Sequence, residues 1–297
     1  MFKRIGTEWI KFLGVALAAA VITTHMTGAP GQAGNAAAET GAVQTAFDRV
    51  MKTGVLRCSY VAYDPANIVD PNTGEMSGIL HDVAEAMGRQ LDIKIEWVAE
   101  STWATFMEDI RTGRADAFCG AAFGFAPELK YGETVGPFYY SPITLWTRAD
   151  DTRFDQGVDA LNHSNVTVVG EDGSIASKLA GELFPQAKML GLPHNAPYSM
   201  KLDNVANGKG DATLVETSVG LDYIAHNPGT LKNATPKEPV AVYPNLFIVA
   251  KGEFKLQSML QGAANTLHNN GTVERILKQY EKHPGALLRV AKAYTAE

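Results

Sequence analysis

Two short stretches, RTGRADAF (residues 111–118) and ANGKGDAT (residues 206–213), run through the same pattern of Gly, basic residue, any residue, Asp, Ala. In each, a helical periodicity stops at a glycine, which takes the left-handed conformation that ends helices, and a run of buried-strand character begins. The same junction occurring twice predicts two copies of one structural plan. Outward from the first junction, a helix over 42–52 leads to a strand over 54–60. GILHDVAEAMGRQL (78–91) has apolar residues at helical spacing, IKIEWV (93–98) alternates, TWATFMEDIRTG (102–113) is helical and ADAFCGAA (115–122) is a strand. Around the second, NVTVVG (165–170), AKML (187–190) and DATLVE (211–216) read as strands, with helices over SIASKLAGELF (174–184) and YSMKLDNVANGKG (198–210) between them. Strand, helix, strand in this order means parallel strands with crossover helices, an α/β architecture.

Two extended runs, FYYSPITLWTRADD (138–151) and VAVYPNLFIVAKGE (240–253), are long enough to pass from one lobe to another, and two helices over 254–268 and 271–281 close the chain. Two crossings make lobe one from both chain ends, 39–143 plus 246–297, with lobe two (144–245, including the hinge strands) inserted. A cleft between lobes joined by two strands is both a hinge and a ligand site.

The ends and composition narrow the class. Lys3, Arg4 and Lys11 precede an apolar run from Phe12 to Ile22, and Ala36 to Ala38 form a small-residue exit, so residues 1–38 are expected to be a cleaved signal peptide and the protein periplasmic. The apolar run is 11 residues, short of the roughly 20 that cross a bilayer. Its removal takes away three basic residues and one acidic one, moving the formal net charge from −6 to −8, which disfavours nucleic acid and anionic membranes as partners. None of the seven histidines lies at metal-ligand spacing from a cysteine or carboxylate; His81 falls on an exposed helix stripe and His226 in a turn. No phosphate loop or nucleophile elbow is present, so no metal, cofactor or catalytic residue is expected. Cys58 and Cys119 both lie in strands, and adjacent strands are about 4.8 Å apart, within disulfide range. A disulfide and two buried thiols both fit, because register is not legible in sequence.

In eight segments taken in order, the chain resembles the extracytoplasmic solute-binding proteins of family 3, the type that delivers amino acids to ABC importers. The segments are GVLRCSY, GILHDVAEAMG, GRADA, TVGPFYY, VTVVGEDGSIASKL, NGKGDATLVE, LFIVAKGE and NNGTVERILKQYEKH, spread over residues 50–282. The resemblance implies a two-lobed, type II periplasmic binding protein fold acting as a monomer with an inner-membrane permease. The family signature has an acidic residue where this chain has Leu80, and its second acidic position is kept as Asp82.

In the family, an arginine and Ser/Thr hydroxyls after the third strand hold the ligand's carboxylate. Here the arginine position falls on Glu128 or Leu129, and the run CGAAFGFAPEL, including Gly120, Ala121 and Phe125, has no hydroxyl. Lys130 is the nearest cation, but one residue along a helix turns a side chain by about 100°. The turn is therefore not an ordinary carboxylate clamp. Lobe two keeps more. Gly173 and Ser174 open a helix whose N–H groups can receive an anion or carbonyl, Ser174 being equally suited to a plain N-cap. Glu216 falls where the family binds the ligand's amino group; a buried carboxylate needs a partner, either a ligand ammonium, the favoured reading, or a lysine of the same fold. Tyr60, Tyr63, Trp103 and Phe125 supply aromatic faces that attract cations by about 0.5–2 kcal/mol each, or simply wall the cleft. The resulting expectation is a receptor for a small polar amino compound, an amino acid or amine. The alternatives are a periplasmic partner or maturation protein and a cyclohexadienyl-dehydratase-like enzyme using Glu216 as general acid.

Overall fold

The computed structural model describes residues 44–193 and 196–291, without the side chains of Ile175 and Ala176; the expected signal peptide lies outside the described residues. The first half runs α1 (Ala46–Thr53), β1 (Val55–Tyr60), a small hairpin of β2 (Ile68–Val69) and β3 (Met76–Ser77), α2 (Ile79–Leu91), β4 (Lys94–Glu100), α3 (Phe106–Arg111) and β5 (Ala117–Ala122). A 17-residue strand, β6 (Gly132–Arg148), leads into β7 (Thr167–Glu171), α4 (Ile175–Leu183), β8 (Lys188–Leu192), α5 (Met200–Ala206), β9 (Ala212–Glu216), α6 (Thr217–His226) and β10 (Leu231–Asn233). The return strand β11 (Ala241–Ala250) is followed by α7 (Phe254–Asn269) and α8 (Thr272–Tyr280).

Among the described residues the main sheet has nine strands, in the order β4-β1-β5-β11-β6-β9-β7-β8 with β10 beside β6. Strand β1 pairs in parallel with β4 and β5, and β7 pairs in parallel with β8 and β9, so the two halves repeat one winding. The antiparallel pair β6 and β11 runs between them, β11 against β5 and β6 against β9. These are the two extended crossings expected from the sequence.

The repeated aspartates explain why the junction recurs. The Asp116 carboxylate accepts the Arg57 N–H at 2.8 Å, and the Asp211 carboxylate accepts the Thr167 N–H at 2.8 Å. Their own N–H groups donate to the carbonyls of the same two residues, also at 2.8 Å. Each aspartate thereby sets the register of the third strand of its half against the first, and each is ion-paired, Asp116 with Arg49 and Arg57, Asp211 with Arg153. Charge-assisted bonds of this kind are roughly twice as strong as neutral ones.

Cys58 and Cys119, both fully buried, are joined by a disulfide between the neighbouring strands β1 and β5, with Cα atoms 5.5 Å apart, which settles the alternative left open above. Helix α6 has no counterpart in the sequence reading: Gly220 interrupts its pattern, and it packs there against the fully buried Trp146, where an added Cβ would lie 2.0 Å from the indole. His81 corrects its expected exposure; its ring stacks on Trp97 at 5.2 Å and bonds Asp82 at 2.9 Å. Leu80, in the acidic position of the signature, is fully buried, while Asp82 accepts the Tyr280 hydroxyl at 2.7 Å.

Candidate functional site

Strand β9 ends at Glu216, and the chain turns at once into α6, which leaves this carboxylate at the junction of the two halves with only 6% exposure. Facing it, the β7–α4 turn carries Gly173, whose φ of +82° suits a residue without Cβ, and Ser174, the N-cap of α4. The Ser174 hydroxyl accepts from the Ser177 N–H, so the capping reading holds for its side chain. From the first half, Trp103, Phe106, Ala121, Ala122, Phe123 and Phe125 close the other wall, and Gly173 lies 3.6 Å, measured from a built Cβ, from Ala104 of that half. The space between these walls is about 50 Å³. Of the residues expected from sequence, Trp103, Ala121, Phe125, Gly173, Ser174 and Glu216 line it.

Three others do not. Tyr60 packs edge-on against Trp97 at 5.7 Å. Gly120 lies over the Phe118 ring, where an added Cβ would meet the ring carbon at 2.4 Å, so it serves core packing. Tyr63 stands behind the wall, edge-on to Trp103 at 5.8 Å and to Tyr198 at 4.7 Å.

Two cavity residues were absent from the sequence expectation. The Tyr198 hydroxyl donates to Glu216 Oε2 at 2.6 Å, and burial, followed by the Glu216 charge, pushes this phenol well above its ordinary range. Lys201 is 1% exposed, with Nζ 3.5 Å from the Tyr198 ring centroid and 3.6 Å from Glu171 Oε2. Burial lowers the Lys201 pKa while Glu216, and then Glu171, oppose that effect. Within the chain Glu216 thus has the Tyr198 hydroxyl as a hydrogen-bond partner, with the Lys201 charge acting on the same site. A signal for Lys201 was present: in α5 it shares the buried face with Leu202 and Val205, so a lysine occupies an apolar stripe at i, i+4 spacing.

The odd turn after β5 also finds its partner. Glu128, in a short 3₁₀ turn (Glu128–Lys130), pairs with Lys178 of α4 across the cleft at 2.7 Å, and Lys178 lies 5.1 Å from the Phe125 ring centroid. Lys282 bridges Asp64 at 3.2 Å and Asp222 of α6 at 3.6 Å, a second tie between halves. Beyond the Tyr63–Tyr198 pair lies a larger cavity of about 420 Å³, which Tyr198 also lines. Among the described residues no group of three His, Cys, Asp or Glu side chains is placed to hold a metal ion.

Residues 56–283 match the bacterial extracellular solute-binding proteins, family 3. The chain belongs to this family. Similar curated proteins include a probable amino-acid-binding protein, YxeM, of Bacillus subtilis, 23% identical over 236 residues covering 78% of this chain and 84% of that one. Another is a cyclohexadienyl dehydratase of Pseudomonas aeruginosa, 26% identical over 192 residues, 61% of this chain and 66% of that one. The fold matches an ancestral amino-acid-binding protein, a precursor of cyclohexadienyl dehydratase, with a TM-score of 0.68 at 23% identity, covering 80% of this chain and all of that one. It also matches the L-cysteine solute receptor of Neisseria gonorrhoeae, with a TM-score of 0.70 at 18% identity over 82% of this chain and 99% of that one. The architecture is that of a two-lobed, type II binding protein.

Proposed function

We propose that the protein is the extracytoplasmic receptor of an ABC importer, holding a small amino compound between its lobes and presenting the closed form to an inner-membrane permease. It acts as an exported monomer and catalyses no reaction; lobe one comprises 39–143 plus 246–297 and lobe two 144–245. The observation that carries this reading is the buried Glu216 carboxylate at the end of β9, in a cavity walled by both halves and opposed by Trp103 and Phe125. The space of about 50 Å³ is far below the 300–1,000 Å³ of ordinary small-molecule pockets. Entry of a ligand therefore requires the halves to part; a second cavity of about 420 Å³ lies on the other side of Tyr198. A ligand that touches both halves favours closure by its differential contacts.

A thermal-shift screen of refolded, ligand-stripped protein against amino acids, polyamines, methylated amines and dicarboxylates tests the proposal. A ligand at 100 times its dissociation constant adds about 2.7 kcal/mol of stability. A shift with amino compounds that is lost in Glu216→Gln supports the receptor; no shift with any of them removes it. The dehydratase among the relatives motivates a second reading, in which Glu216 is a general acid, and a turnover assay on cyclohexadienyl substrates decides between them.

A further inference from the structure

We infer that Phe125 and Glu128 form a cation-binding subsite on the first half, which Lys178 of the second half fills as a tethered stand-in for an organic cation. This rests on the receptor reading of the same cavity and names the class of ligand, an alkylated ammonium whose charged head meets the first half.

Lys178 shows what the subsite takes. Its Nζ is 2.7 Å from the Glu128 carboxylate and 5.1 Å from the Phe125 ring centroid, so one ammonium has a carboxylate and an aromatic face at once. These are the two groups that hold alkylated ammonium ions, the ring by attraction to the charge and the carboxylate by neutralising it. The pair is partly withdrawn from water, with side-chain exposures of 33% for Lys178 and 17% for Glu128, and both residues line the cavity together with Phe125. Lys282 is the contrast: it also bridges the halves, but its side chain is 53% exposed and lies outside this cavity, as a surface tie does.

The subsite is built by its own turn and not by the lysine. The Phe125 carbonyl accepts the Glu128 N–H at 2.8 Å, closing a turn through Pro127, whose ring fixes one of the backbone angles. That bond keeps ring and carboxylate on one turn of backbone, so they stay neighbours when the halves part. Lys178 gains nothing from its own helix: it follows the N-cap Ser174 by four residues, close to the positive end of α4, which disfavours a cation. When the cleft opens Lys178 leaves with α4, and the carboxylate and ring it covered face the incoming ligand. An anion arriving there would meet the Glu128 charge, and the turn offers it no hydroxyl.

Nuclear magnetic resonance titrations of refolded, ligand-stripped protein with tetramethylammonium, butylammonium and acetate at fixed ionic strength, read on the Phe125 ring and Trp103 indole signals, test this. In Lys178→Met the tethered competitor is gone, and both cations should bind about 1.4- to 5-fold more tightly than to the wild type, the range of a partly exposed ion pair; Lys178→Gln should do the same. Glu128→Gln breaks the same ion pair but removes the acceptor, so it should bind both cations more weakly than the wild type. Phe125→Leu added to Lys178→Met should weaken tetramethylammonium binding by about 2- to 30-fold. If Lys178→Met and Glu128→Gln change cation affinity in the same direction, the pair is only a latch between the halves and the subsite is overturned. Acetate binding that strengthens in Glu128→Gln, with no response to the cations, overturns it in favour of an anion at Lys178. Cation binding that is lost in Glu216→Gln but unchanged in the Glu128 and Lys178 variants overturns the subsite and leaves the receptor standing. Binding of no probe by any form overturns the subsite, and the receptor reading is then decided by the thermal-shift screen alone.

Discussion

Reducing the Cys58–Cys119 disulfide should lower the stability of the protein by about 4 kcal/mol, from chain entropy alone. The two cysteines are 61 residues apart, and a closed loop of that size removes about 14 cal/mol/K from the unfolded chain. Both residues are fully buried in the sheet of the first half, so the thiols left by reduction keep their packing, and the difference between forms isolates the cross-link. Because the bond is inaccessible to solvent, it must be reduced in the unfolded state and the chain refolded in reductant. At about 2–4 °C per kcal/mol for a chain of this size, the melting midpoint should fall by about 8–16 °C. The assay is calorimetry or circular dichroism of oxidised and reduced protein at equal concentration. A midpoint within 1 °C of the oxidised form would refute the reasoning, and two titratable thiols in the unreduced, denatured protein would refute the bond itself.

Gly220→Ala places a methyl group 2.0 Å from the buried Trp146 indole, with α6 on one side and β6 on the other. It should cost about 1–3 kcal/mol in urea unfolding, and an unchanged midpoint would show that the helix can move aside without loss. The hydrogen bonds of Arg153, against the opposing effect of burial, hold the Asp151 carboxyl below its usual range. Its contribution is therefore fully present above the unfolded value of about 3.9 and is lost as pH falls through the lower folded value. Asp151→Asn should melt below the wild type at pH 6, with the gap closing below about pH 4; a gap constant from pH 6 to 2.5 contradicts the assignment.

The repeated Gly, basic, Asp, Ala junction was legible because it is a local solution to a local problem. A helix has to end, and the next strand has to be placed against the first. Asp116 and Asp211 do this through backbone bonds to Arg57 and Thr167, which any sequence with that topology can reuse. The aromatic wall was legible only in part, because Trp103 and Phe125 face the cavity while Tyr60 and Tyr63 turn toward Trp97 and Tyr198. Side-chain direction at the end of a strand depends on what packs behind it, and single-chain periodicity does not contain that information.

By itself the sequence determined the alternation of strands and helices, the two crossings, and the loss of arginine and hydroxyls from the turn after β5. These are consequences of periodicity, composition and spacing along the chain. The tertiary structure alone decided that Cys58 meets Cys119, that Glu128 pairs with Lys178 across the cleft, and that Tyr198 and Lys201 stand beside Glu216. Each of these joins residues from different elements. Their encounter depends on strand register and on how closely the two halves approach, and both are set by packing over the whole molecule.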